Sequence, residues 1–101
     1  MPKFITDYGW AKLSQIETFD VLKPEEKDKR MKYLGFEGYL LLFKSLTEHP
    51  GEYFLYIENP IHCFHTSCGK LTVKEDSIEL TTRHSKYHFK LIQKKKNTRL
   101  Q

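Results

Sequence analysis

The segment IHCFHTSCGK, residues 61–70, holds two of the chain's five histidines and both of its cysteines. Thiolate and imidazole are zinc ligands, and a structural zinc takes four of them, usually in pairs two to four residues apart. His62, Cys63, His65 and Cys68 supply the ligand types, but the spacing is poor. Successive side chains of a strand alternate faces, so His62 turns away from Cys63 and His65. Cys63, His65 and Cys68 can converge. A fourth ligand would then have to come from His49, His84 or His88, none of which belongs to a second paired motif. No structural zinc and no cofactor are expected. Cys63 reads as a small buried hydrophobe and His62 as a partly exposed strand residue. A Cys63–Cys68 disulfide would clip a turn, and a reducing compartment argues against it.

The same residue types could do acid–base or nucleophilic work. Cys63 and His65 share a strand face, yet a cysteine nucleophile also needs an orienting group and an oxyanion site, and no residue stands out for either. His84 and His88, with Lys86 or Lys90, form the type of acid–base set that RNA cleavage uses, so a small histidine-dependent nuclease is one alternative reading. The chain has no phosphate loop, dinucleotide fingerprint, HExxH or GxSxG. A protein that works by binding and not by catalysis is expected.

The elements that would position these residues fall into three parts of one domain, residues 1–93, with 94–101 as a basic, flexible tail. In TDYGWAKLSQIETFD, Trp10, Leu13, Ile16 and Phe19 recur every three residues. With Thr6 or Asp7 as a cap, that stripe predicts an amphipathic helix over about 7–18. Pro24, Glu25 and Glu26 suit a helix start, and Met31, Leu34, Leu41 and Leu42 share a stripe, which predicts helix over about 24–48, broken near Gly35 and Gly38. From Glu52 to Gln93 the pattern changes to short runs rich in aromatic and β-branched residues, separated by Asn-Pro, Ser-Cys-Gly-Lys, Glu-Asp-Ser and Arg-His-Ser-Lys. Ile78, Leu80 and Thr82 alternate on one face, as do Tyr87, Phe89 and Leu91, so this part reads as a four- to five-stranded antiparallel meander. Gly69 is assigned to a turn with positive φ. The sum is an α+β fold, with the N-terminal helices packed on one face of the sheet.

Charge is unevenly spread. Residues 1–79 carry 10 Lys/Arg and 13 Asp/Glu, whereas residues 80–101 carry 7 Lys/Arg and no acid, for a net charge of +4. A basic end on a mildly acidic body fits contact with a polyanion or an acidic protein. The longest apolar run, Tyr39 to Phe43, is far below the roughly 20 residues that span a bilayer. No secretory signal is evident in MPKFITDYGW, so a cytoplasmic, reducing setting and no membrane partner are expected.

If helices cover one sheet face, the other is open. That face is expected to carry Phe54, Tyr56, Phe64, His88 and Lys90. Arg83 and Lys86 of the last hairpin would lie nearby, with Lys94, Lys95, Lys96 and Arg99 of the tail. Aromatics among cations suit an acidic protein partner. The same surface suits single-stranded nucleic acid, whose bases stack on rings and whose phosphates meet lysines. A homodimer that hides the face is a third outcome. The protein partner is slightly favoured. Small size, a Lys/Tyr/Phe-rich composition and the lack of catalytic motifs suit an accessory protein of a virus or mobile element that binds and inhibits a target.

Overall fold

The computed structural model describes residues 2–19, 31–46 and 49–94. Seven strands account for the regular structure: β1 Lys3–Thr18, β2 Glu37–Lys44, β3 Tyr53–Glu58, β4 Cys63–His65, β5 Gly69–Val73, β6 Ser77–Thr82 and β7 Ser85–Lys94. All pairings are antiparallel. Each strand lies beside its successor, β4 runs on into β5 along the β3 edge, β7 returns to β1, and β2 pairs with both β1 and β3. The sheet thus closes on itself as an up-and-down barrel. Closure pairs β1, β2, β6 and β7 on both sides and removes the edges that an open sheet would present.

The inner wall is the core. Ala11, Leu13 and Ile16 of β1, Leu40 and Leu42 of β2 and Leu55 and Ile57 of β3 point inward. So do Ile78 and Leu80 of β6 and Tyr87 and Phe89 of β7, and all of these are buried. Tyr8, Phe36, Tyr53, Phe64, Leu71 and Leu91 pack against them. So narrow a barrel is filled by its own side chains, and full burial of each large one contributes about 1.5–3 kcal/mol.

The helix expected over about 7–18 does not form, nor does the helix expected over about 37–48 in its described part. Residues 3–18 and 37–44 are strands, so the α+β expectation gives way to a nearly all-β fold. The helix-like spacing in β1 comes from bulges. Its register against β7 slips between Leu13 and Gln15, so Leu13 and Ile16 both face inward although three residues apart. One extra residue on a strand restores the same face at i+3 instead of i+2. Trp10, by contrast, lies on the outer face opposite Tyr39, with Ala11 and Leu13 pointing inward beside it. The bulges also bend β1, so its first part pairs with β2 and its second with β7.

In β2, Leu40 and Leu42 face inward while Tyr39, Leu41 and Phe43 face outward. A strand apolar on both faces has no period-2 signature, and its leucines mimic a helical stripe. The expected helix of about 24–34 lies mostly outside the described residues; Met31–Gly35 within it form a turn.

Two glycines are fixed by close approach of neighbouring strands. A Cβ on Gly38 would stand 2.3 Å from the Glu58 carbonyl oxygen, and one on Gly69 would stand 2.1 Å from that of Thr81. Gly69 is therefore the first residue of β5, without the positive φ expected for a turn. It is also the single register pair joining β3 to β5, through Tyr53. Just before it, Thr66 bridges the break between β4 and β5. Its N–H donates to the Leu55 carbonyl at 2.9 Å, and its Oγ1 accepts from the Leu55 N–H at 3.1 Å. No helix among the described residues is long and apolar enough to cross a membrane.

Candidate functional site

The alternation that sends leucines into the barrel sends rings out of it. On the outer face of β1, β2 and β3, Phe4 stands opposite Phe43, and Phe43 opposite Phe54. One row along, Leu41 lies opposite Tyr56, and Tyr56 opposite His65 of β4. The rings touch across the strands. Phe4 and Phe43 meet edge to face at 5.6 Å, and Phe43 and Phe54 stack at 5.2 Å with 8° between planes. Phe43 meets Tyr56 at 6.3 Å, and Tyr56 and His65 lie parallel at 6.3 Å. Beside this ladder, Trp10 and Tyr39 pack edge to face at 5.0 Å, and the indole N–H donates to Glu37 Oε1 at 3.0 Å. Phe4 and Tyr39 keep about half their surface in solvent, at 52% and 50%. The result is a continuous aromatic surface spanning four strands.

The Tyr56 hydroxyl sits against Cys63. Its hydrogen bond to that thiol is the main cause that pushes the phenol above the ordinary value of 10.0, followed by the charges of Cys63 and Glu58 and by partial burial. Cys63 itself is exposed, contrary to the buried reading, because β4 carries it on the outer face. Cys63 is a free thiol. Among the described residues no group of three or more His, Cys, Asp or Glu side chains is placed to hold a metal ion.

The expected surface residues divide into separate groups. Phe54 and Tyr56 are neighbours on the aromatic face. Phe64 is not with them. Its register partner is Ile57, so it points inward, where it stacks on Tyr33 at 4.3 Å and meets Tyr87 at 5.9 Å. Lys86 and His88 belong to an ionic cluster on the outer face of β6 and β7, around Glu79. Glu79 receives Lys74 Nζ at 2.8 Å, Lys86 Nζ at 3.4 Å and His88 Nδ1 at 3.1 Å, while His88 Nε2 meets Glu17 at 2.5 Å. The Lys74 hydrogen bond, against the opposing effect of burial and with help from Lys86, lowers the Glu79 carboxyl from 4.5 to about 2. His88 is thus held between two carboxylates on β7, while His84 sits in the β6–β7 turn. Arg83 is in that turn, in a groove described below. Lys90 is exposed on the outer face of β7. Lys94 closes β7 opposite Gly9. Lys95, Lys96 and Arg99 lie outside the described residues.

Comparison with protein-family models, with curated proteins and with solved structures finds no match. The surface must be read from its own chemistry.

Phe4, Trp10, Tyr39, Phe43 and Lys12 join the candidate surface although the sequence reading placed none of them there. The signal was present in Tyr39, Leu41 and Phe43, which alternate with Leu40 and Leu42. Helical periodicity hides that alternation because both sets are apolar.

The surface has a basic margin. Lys12 of β1 lies directly opposite Lys90 of β7. On its other side Lys12 faces Glu37, but that carboxylate accepts from Trp10. Asp7 and Glu58 also lie near the ladder: Asp7 caps its own strand by accepting from the Gly9 N–H at 2.8 Å, and Glu58 stands opposite Tyr39 and Cys63. Neither Lys12 nor Lys90 forms an ion pair within 4.0 Å among the described residues. Like charges placed opposite each other on adjacent strands cost roughly 0.2–1 kcal/mol.

Proposed function

We propose that this chain is a non-catalytic binding domain that engages an acidic protein through the aromatic outer face of β1–β4. The observation that carries this reading is the aromatic outer face, with the Lys12–Lys90 pair beside its Trp10–Tyr39 end. An apolar centre of aromatic side chains with a charged margin is the anatomy of a protein interface. The basic margin complements an acidic partner and would speed encounter. The backbone of β7 ends with Gln93 opposite Trp10 and Lys94 opposite Gly9, beside the same face.

The ring geometry favours protein over single-stranded nucleic acid. Base stacking needs open ring faces. Phe43 and Phe54 are stacked on each other, and Tyr56 lies parallel to His65. Much of each ring face is taken up by a neighbour, which suits an apolar segment of a protein.

The test is selection of an acidic peptide library against the immobilised domain, followed by affinity measurement on two variants. Phe43→Ser with Phe54→Ser removes the ladder centre, and Lys12→Glu with Lys90→Glu reverses the margin. Both should weaken the selected peptide at least tenfold while circular dichroism shows an intact barrel. Retention of binding in both variants refutes the reading. Fluorescence anisotropy with labelled single-stranded oligonucleotides forms the second arm. Micromolar binding at physiological salt that is lost in Tyr56→Ala would replace the protein partner with nucleic acid.

A further inference from the structure

The barrel has one weak seam, and a groove opens there. β3 and β5 are joined by the single pair Tyr53–Gly69, next to the Leu55–Thr66 bonds that hold the end of β4. The groove has a volume of about 530 Å³, within the usual range for small-ligand sites. His49 and Glu52 stand on the β3 side, and Lys70, Arg83 and His84 on the β5–β6 side. Four of these five side chains are cationic or can become so. The one acid, Glu52, is shared with His49, whose Nδ1 is 4.0 Å from its carboxylate. Hydroxyls of Ser67, Thr81 and Thr82 complete the lining, and no aromatic ring other than the imidazoles takes part.

The wall that presents Arg83 and His84 is braced. Thr82 Oγ1 donates to the Ser85 carbonyl at 3.0 Å and accepts from the N–H groups of His84 and Ser85 at 3.3 and 3.1 Å. The His84 carbonyl in turn accepts from the Phe19 N–H at 2.9 Å. The turn is thus fixed without using the groove-lining charges. His84 Nδ1 is sealed from solvent and has no hydrogen-bond partner among the described residues. A buried polar atom left unpaired is costly, and such atoms gather at functional sites. Fixed cations on a concave wall are an anion site, and a guanidinium matches phosphoryl oxygens in pairs.

We propose that the seam groove binds a polyphosphate group, with Arg83 and Lys70 as its principal contacts. The residues lining this groove are not those of the ring ladder, and phosphate binding there does not depend on that face. The phosphoryl chain can be free or attached to a nucleoside. A second groove of about 370 Å³ shares His49, Ser67 and Cys68 with the first and adds Phe54 and His65, so a nucleoside would have a neighbouring place to lie.

The test is calorimetric titration of the whole chain with inorganic tripolyphosphate and, separately, with ATP, at low and at physiological salt. Expected is saturable tripolyphosphate binding that weakens roughly tenfold in Arg83→Gln and in Lys70→Gln. Lys3→Gln, which removes an equal charge from an exposed position away from the groove, should change it less than twofold. ATP binding more tightly than tripolyphosphate identifies a nucleotide as the source, and equal affinities identify the bare polyphosphate. No binding at low salt overturns the proposal. So does equal weakening by all three substitutions, which would mean attraction to net charge and not to a site. Arg83 and Lys70 are exposed, so both variants should retain the fold. Amide shifts at Gly69 and Thr81 in the wild-type titration give an independent readout of where the anion sits.

Discussion

Gly69→Ala should be among the most damaging single-methyl changes in this protein. The added Cβ would stand 2.1 Å from the Thr81 carbonyl oxygen, 2.7 Å from its carbon and 2.9 Å from Thr82 Cα, where ordinary contact begins near 3.4 Å. All three atoms are backbone, so no side-chain rotation relieves the clash. Strand β6 would have to retreat by more than an ångström. Thr82 resists, because its hydroxyl ties β6 to the following turn by three hydrogen bonds. The retreat would strain the Gly69–Thr82 and Lys70–Thr81 pairs and the lone Tyr53–Gly69 link. Overpacking of this type costs about 1–3 kcal/mol, and each weakened ladder bond adds about 1 kcal/mol. The expected loss is about 3–4 kcal/mol, measured by urea denaturation at equilibrium, with a fall in Tm of roughly 15 °C or more. Lys70→Ala, one residue on and exposed, should change stability by less than about 0.5 kcal/mol. A loss below about 1 kcal/mol for Gly69→Ala would show that β6 yields freely and that the close approach of Gly69 to Thr81 is not tight.

Leu13→Ala should cost about 2–5 kcal/mol by urea denaturation, because Leu13 is fully enclosed by the barrel wall. Trp10→Ala, whose ring lies outside on Tyr39, should cost only about 1–2 kcal/mol; a loss above about 3 kcal/mol would return the indole to the core. Glu79 is expected to make stability depend on pH at the acid end. Its carboxyl titrates near 4.5 when unfolded and about 2 when folded, so its contribution is fully present above pH 4.5 and is lost as pH falls toward 2. Glu79→Gln should flatten the stability profile in that window, and an unchanged profile would mean that Lys74 does not hold the carboxylate in solution. Elemental analysis of protein folded with excess zinc should return well under one zinc per chain, because Cys63, His65 and Cys68 are not grouped as ligands with a fourth donor among the described residues.

The C-terminal half was legible because its strands are half-buried in a regular way. Ile78, Leu80 and Thr82 do face inward, as do Tyr87, Phe89 and Leu91, although Gly69, Lys70, Ser77, Ser85 and Lys86, expected in turns, belong to strands. The N-terminal half was not, for two physical reasons. A bulge in β1 shifts Leu13 and Ile16 from strand spacing to helix spacing. Both faces of β2 are apolar, one for the core and one for the surface, which erases the period. Both failures concern strands that build the aromatic face. Of that face, Phe54 and Tyr56 could be seen in the sequence. Trp10, Tyr39 and Phe43 were hidden inside expected helices where the structure has strands, and Phe4 lay before the first of them. Phe64 was misassigned because β3 and β4 pair with Tyr56 opposite His65, a register fixed by the turn at Asn59 and not by periodicity. The Asn59 carboxamide accepts from the N–H groups of Ile61 and His62, both at 2.9 Å, and sets where β4 begins.

The return of β7 to β1 constrains how this protein comes to be folded. Glu17 and His88 touch although 71 residues separate them, and Ser14 bonds the His88 carbonyl across 74. Every strand between must be in place before that last seam can form, and contacts so distant in sequence slow folding toward milliseconds or seconds. During synthesis β1 emerges ahead of its second partner, β7, and waits for it while the five strands between them are made. For that interval it has an unpaired edge, with its core side chains Leu13 and Ile16 uncovered. Lys12 and Glu17, the charged residues of the same stretch, then act as guards against pairing with another nascent chain.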